Sequence, residues 1–132
     1  SQEKMKRICV FMNVFNVHVN RSPVSGSIKD IVYKEGQFLN ASLDKASEKN
    51  ERSSLVISSK NGPEIVVVQI AGLIARRILG FVSANDNLVQ GERFGLIRFG
   101  SRVDIYMPMD VVTKCSIGDK VVAGESVLAT FK

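Results

Sequence analysis

Residues 91–108 read GERFGLIRFGSRVDIYMP, with Arg98-Phe99-Gly100-Ser101-Arg102 at the centre. Before the centre, Phe94, Leu96 and Ile97 follow the apolar pattern of a strand; after it, Val103, Ile105 and Tyr106 do the same. A glycine inside a strand weakens it and marks a bulge, a bend or the close approach of another backbone. One reading of Gly100-Ser101 is therefore a β-bulge or tight bend. The other is a bond placed to be attacked. Glycine leaves its carbonyl sterically open, and the serine hydroxyl follows one residue on, within reach of that carbonyl.

Working outward, the neighbouring segments are also strand-like. Residues 65–70, IVVVQI, have the β-branched density of a buried strand. Residues 54–58 precede them across Lys60-Asn61-Gly62-Pro63, where Asn-Gly supplies the positive backbone angles of a tight hairpin. Gly26–Lys34 reads as another strand, ended by Glu35-Gly36, and Ile8-Cys9-Val10-Phe11-Met12 as a buried one. Residues 37–50, QFLNASLDKASEKN, fit a short helix or loop, with Asn40 or Ser42 as cap and Leu43 and Ala46 facing inward. Residues 71–78 fit either a helical turn or a bent strand, residues 81–91 a loop, and residues 121–129 two short strands around Ala123-Gly124-Glu125. The expected fold class is mainly β (α+β): a compact β-sandwich or barrel-sandwich hybrid with one or two short helices, in one domain over residues 1–132.

Composition sets the outer bounds. The 132 residues are 45% hydrophobic and 23% charged, enough to bury a core. No apolar run is long enough to span a bilayer as a helix. A strand starting at about Arg7 makes the N-terminus abrupt, and a preceding portion of the natural chain is expected to be missing. Net charge is +5, which suits an anionic partner such as a lipid headgroup layer. The basic residues are scattered and the aromatics form no RNA- or DNA-reading pattern, so nucleic acid is not expected as a partner. Cys9 and Cys115 form no CxxC pair and His18 is the single histidine, so no metal centre is expected.

A Gly-Ser bond can be broken by its own serine, given a base for the hydroxyl proton and a donor for the developing oxyanion. His18 is the side chain whose unperturbed pKa suits a base at neutral pH. It lies in Asn13-Val14-Phe15-Asn16-Val17-His18-Val19-Asn20-Arg21-Ser22-Pro23, a polar-studded segment directly after an apolar strand. A lone histidine there also fits a satisfied core or surface residue.

Three blocks resemble the phosphatidylserine decarboxylase family in its short bacterial form. Residues 14–23, with a histidine ahead of Ser22-Pro23, are similar to the family's histidine block. Asn50-Glu51-Arg52 is similar to its Asn-Glu-Arg block, and Phe99-Gly100-Ser101 to its self-cleavage motif. Gly118-Asp119-Lys120 with Ala123-Gly124-Glu125 also fits, though lipoyl-like hybrid barrels share that closing pattern. The resemblance implies a proenzyme that cuts itself between Gly100 and Ser101. Residues 1–100 would form the β chain, and residues 101–132 the α chain, with Ser101 converted to a pyruvoyl cofactor. That carbonyl would take the phosphatidylserine amine as a Schiff base and accept the electrons released with carbon dioxide, giving phosphatidylethanolamine. His18 would be the histidine of the family's Asp-His-Ser processing triad. The implied partners are phosphatidylserine in an anionic membrane and, after the cut, the chain's own other fragment; homo-oligomerisation is left open. The implied location is the cytoplasmic face of a bacterial cell membrane, reached through an upstream hydrophobic segment. Arg21, Lys45 and Lys49 are the cations offered for phosphate or carboxylate, against the plainer reading of solvated surface.

Two positions depart from the family pattern. Arg102 stands where Thr or Ser usually follows the serine, and no Asp-Gly block precedes His18. Asp30, Asp44 and Asp104 are poor substitutes, Asp104 because three residues along a strand turn it to the opposite face from Ser101. Slow or absent processing of this chain is the expected consequence. Two other classes compete: a lipoyl- or biotinyl-like carrier, for which Lys120 stands beside its turn rather than at a hairpin tip, and a non-catalytic module binding anionic membranes.

Overall fold

The computed structural model describes residues 5–12, 19–43, 45–60, 62–73, 76–97, 100–116 and 128–130. The main sheet is built from β1 (Met5–Met12), β3 (Gly26–Lys34), β4 (Arg52–Ser59), β5 (Glu64–Ile70), β7 (Asn87–Leu88) and β9 (Ser101–Pro108). A second sheet holds β2 (Val19–Arg21), β6 (Ile78–Gly80) and β8 (Arg93–Ile97); a short pair joins β10 (Val112–Thr113) to β11 (Ala129–Thr130). The helix α1 is a single turn, Ala46–Lys49. The mainly-β expectation holds.

The six strands run in the order β1-β9-β5-β4-β3-β7, every neighbouring pair antiparallel. The β4–β5 hairpin closes where Asn-Gly anticipates it, with Ser58 opposite Glu64. Side chains alternate between faces along a strand. One face of the main sheet carries Met12, Val103, Ile105, Met107, Val67, Ile65, Leu55 and Ile57, all buried in a core with Phe94 of the second sheet. On that face the buried Gln69 donates to Asn20 Oδ1 of β2 at 2.8 Å, a polar tie between the sheets.

The opposite face is covered at one end by the excursion 37–50. Ala41 and Ala46 are fully buried there, Arg7 donates to Ser47 Oγ at 3.1 Å, and Arg102 reaches the Ala41 and Leu43 carbonyls. Three expectations change. Leu43 points outward (43% exposed), because α1 begins three residues later than an inward Leu43 requires. Asn40 and Ser42 do not cap it; Asn40 Oδ1 takes the Ser42 N–H at 3.0 Å in a local turn, while Lys45 occupies the N-cap without a side-chain bond. Strand β1 is not buried throughout: as an edge strand it alternates, leaving Arg7, Cys9 and Phe11 exposed. Among the described residues no helix is long and apolar enough to cross a membrane.

Candidate functional site

Gly100 is a corner between two sheets rather than a bulge within one strand. Strand β8 before it belongs to the three-stranded sheet and β9 after it to the six-stranded one. Its φ of +80° is a left-handed conformation that costs an L side chain about 1–2 kcal/mol. The Gly100 N–H donates to Met12 O at 2.6 Å, and Ser101, fully buried, opens β9 opposite Met12. Ser101 shares the core face with Val103, while Arg102 and Asp104 take the other face, as strand parity requires.

The Gly100 carbonyl has its own seat. The β5–β9 register pairs Ile70 with Arg102, so its continuation sets Gly72 opposite Gly100. A Cβ built on Gly72 would overlap the Gly100 carbonyl oxygen, lie 3.0 Å from its carbonyl carbon and 3.5 Å from Ala41 Cβ. The backbone forming this seat is tied down on both sides. Asn50, fully buried, donates through Nδ2 to Ala71 O at 2.7 Å and to Leu39 O at 2.8 Å, and accepts Leu39 N–H at 3.0 Å. Ala71 N–H donates to Glu51 O at 3.0 Å, and Arg52 Nη1 donates to Glu48 O and Asn50 O at the end of α1. Asn50-Glu51-Arg52 thus works as a structural clip.

Arg102, in place of the hydroxyl residue, sends its guanidinium across the sheet. Nη1 donates to Ala41 O at 2.9 Å and Nη2 to Asp104 Oδ2 at 3.1 Å. Nε lies 2.8 Å from Oδ1, an ion contact whose angle is too bent for a hydrogen bond. Both side chains are buried, and Arg7 adds a second cation 3.8 Å from Asp104. Cys9, opposite Asp104 on β1, is exposed along part of its length. Desolvation first, then its hydrogen bond to Asp104, pushes its thiol up to about 11, the range of an unreactive thiol.

The remaining sequence candidates fall into two groups. His18, with residues 13–17, lies outside the described residues, as do Phe99, Asp44, Lys120 and the Ala123-Gly124-Glu125 pattern. Arg21, Lys45 and Lys49 are all exposed; Arg21 Nη1 donates to Gly91 O at 2.8 Å. A shallow open cavity of about 670 Å³ between Ser25, Ser27, Ser59, Lys60 and Leu88 lies at the far end of β3 and β4 from Ser101. Sequence reasoning missed Gly72 and the Asn20–Gln69 tie. A glutamine inside IVVVQI, and a glycine just beyond it, were the available signals.

A buried serine thus follows a left-handed glycine, at a corner whose carbonyl is seated on a second glycine. The family model for phosphatidylserine decarboxylase matches residues 1–129. The chain belongs to that family and is an enzyme of that class, a carboxy-lyase of phospholipid biosynthesis. No solved structure matches it.

Proposed function

We propose that the chain decarboxylates phosphatidylserine to phosphatidylethanolamine and carbon dioxide through a pyruvoyl group made from Ser101 by cleavage of the Gly100-Ser101 bond. The observation that carries this reading is the corner: a left-handed Gly100 whose N–H is held by Met12 O and whose carbonyl lies where Gly72 has no side chain, followed at once by a buried serine. These residues fit the group, because a seated carbonyl and an adjacent hydroxyl are what its formation consumes.

The Ser101 hydroxyl oxygen attacks the Gly100 carbonyl carbon as its proton passes to a base. The C–N bond breaks, the Ser101 nitrogen takes up that proton and leaves as an amine, and an ester joins Gly100 to Oγ. Removal of the Ser101 α-proton expels the Gly100 carboxylate by β-elimination and leaves a dehydroalanine. Water then replaces its nitrogen, which departs as ammonia. The resulting carbonyl supplies an electron sink for decarboxylation. His18 is assigned the base by its place in the sequence pattern, histidine being the side chain whose unperturbed pKa suits a base at neutral pH. Buried surroundings strengthen each polar interaction in the attack and keep water from the ester.

The same reading places the enzyme on an anionic membrane at the cytoplasmic face of the cell. Its supports are the +5 charge, exposed Leu73 directly after Gly72, exposed Leu43 beside the Arg102 clamp, and Arg76 and Arg77 on the loop that follows. Arg21, Lys45 and Lys49 remain the proposed headgroup cations, all reachable from solvent.

Denaturing mass spectrometry tests the cut. The expected outcome is slow loss of the 14.5 kDa species in favour of a fragment beginning at position 101 that Edman degradation cannot enter. Ser101→Ala should stay whole and inactive. Decarboxylation that survives Ser101→Ala would refute the proposal.

A further inference from the structure

We infer that Gly72 is a positioning residue for self-cleavage: the space of its missing side chain holds the Gly100 carbonyl oxygen in the plane that Ser101 attacks. This rests on the serinolysis reading above. Gly100 is held on both of its peptide groups, its N–H on Met12 O of β1 and its carbonyl on Gly72 past the end of β5. The pin is only as firm as residues 71–72, and those are fixed by the buried Asn50 through Ala71 O and by Glu51 through Ala71 N–H. A side chain at position 72 would also lie 3.5 Å from Ala41 Cβ, and Arg102 holds the Ala41 carbonyl. Arg102 is bonded directly to the attacking residue. Ser101, Arg102 and Ala41 thus border the same small space that the missing Gly72 side chain leaves for the Gly100 carbonyl. The clash at position 72 is with backbone, so a methyl group there must displace the carbonyl itself rather than a flexible side chain.

Displacing a reacting atom by about 1 Å costs roughly 100-fold in rate. Gly72→Ala is expected to slow appearance of the fragment starting at 101 by about that factor. Ala41→Val presses on Gly72 from the other side and is expected to slow it in the same direction. Gly80→Ala, where a Cβ meets nothing within 4 Å, serves as control and should cut at the parent rate. Adding hydroxylamine separates the steps: it captures the ester in the parent, while Gly72→Ala should accumulate no ester to capture. A second arm does not depend on cleavage. In the uncleavable Ser101→Ala chain carrying a ¹³C label at the Gly100 carbonyl, Gly72→Ala and Ala41→Val should move that resonance and Gly80→Ala should not. Parent-rate cutting by folded Gly72→Ala, or an unmoved carbonyl resonance in both variants, overturns the inference and leaves serinolysis standing. A parent chain that neither cuts nor yields a hydroxylamine-captured fragment defeats serinolysis, and this inference with it.

Discussion

Neutralising Asp104 should destabilise the fold strongly, and removing its partner as well should undo most of the damage. Asp104 is fully buried and Arg102 is 3% exposed, with two contacts between them at 2.8 and 3.1 Å. Breaking a buried ion pair from one side costs about 3–5 kcal/mol, because the remaining charge stays desolvated. In Asp104→Asn the Ala41 and Leu43 carbonyls still receive Arg102, which places the expected loss near the lower end, about 3 kcal/mol. Arg102→Met leaves Asp104 with Arg7 at 3.8 Å as its nearest cation, so its loss should be at least as large. The paired change Arg102→Met with Asp104→Leu buries no charge, and such replacements are often neutral or stabilising. It does free the buried Ala41 carbonyl, an offset of about 1–3 kcal/mol. The double variant should therefore fall well short of the sum of the two singles. Urea unfolding in the Ser101→Ala background keeps one covalent chain and a two-state analysis. With a slope of about 2 kcal/mol per molar, Asp104→Asn should lower the midpoint by about 1.5 M. A drop under about 0.5 M, or a double variant as unstable as the two losses added, would refute the buried-pair argument.

Three further outcomes follow from single residues. Gly100→Ala meets no neighbouring atom but inherits a φ of +80°, so it should cost about 1–2 kcal/mol by thermal unfolding of the uncleavable chain; a neutral result would remove the strain argument. The Cys9 thiol is raised from 9.0 to about 11, so the stability it lends is complete below pH 9 and lost as pH rises towards 11. Iodoacetamide labelling of Cys9 in a Cys115→Ser chain should follow that late rise, and Asp104→Asn should move the profile to lower pH. Tyr33, hydrogen-bonded to the Glu51 carboxylate, is raised to about 12, so its share of stability is whole below pH 10 and lost between 10 and 12; Glu51→Gln should bring its phenolate absorbance step down towards the ordinary value.

The parts of the fold legible in the sequence are those written in local periodicity. Gly26–Lys34 appears with its ends unchanged, and the Asn-Gly hairpin sits between β4 and β5. Gly100 was legible as an anomaly but not as a change of sheet, since β8 and β9 look alike locally and differ only in which distant strands they pair. Gly72 was illegible for the same reason: its requirement comes from a residue 28 positions away, through a register that only the assembled sheet defines. Arg102 read as a departure from a family pattern; strand parity turns its side chain away from Ser101, but what it meets there, the Ala41 carbonyl, depends on the path of the 37–50 excursion. The Asn50-Glu51-Arg52 block was legible as a motif, while its work, clipping residues 39 and 71 together, depends on a loop whose path local propensity leaves open.

The position of the proposed cut within the sheet has a consequence for its product. In the order β1-β9-β5, the strand that opens at Ser101 is flanked on both sides by strands from the other fragment. It pairs with β1 over eight residues and with β5 over five. Withdrawing it would strip β1 of its sheet partner and expose Val103, Ile105 and Met107 from the core. What is lost at the corner is one peptide bond after a left-handed glycine, so the proposed cleavage removes no buried apolar contact. The two fragments should therefore stay together through gel filtration and native mass spectrometry and part only in denaturant. Refolding after separation should become concentration-dependent, because a unimolecular reaction has been made bimolecular. A small fragment that leaves the large one under native conditions, with the large one's fold intact, would show that β9 is not the strand that joins β1 to the rest.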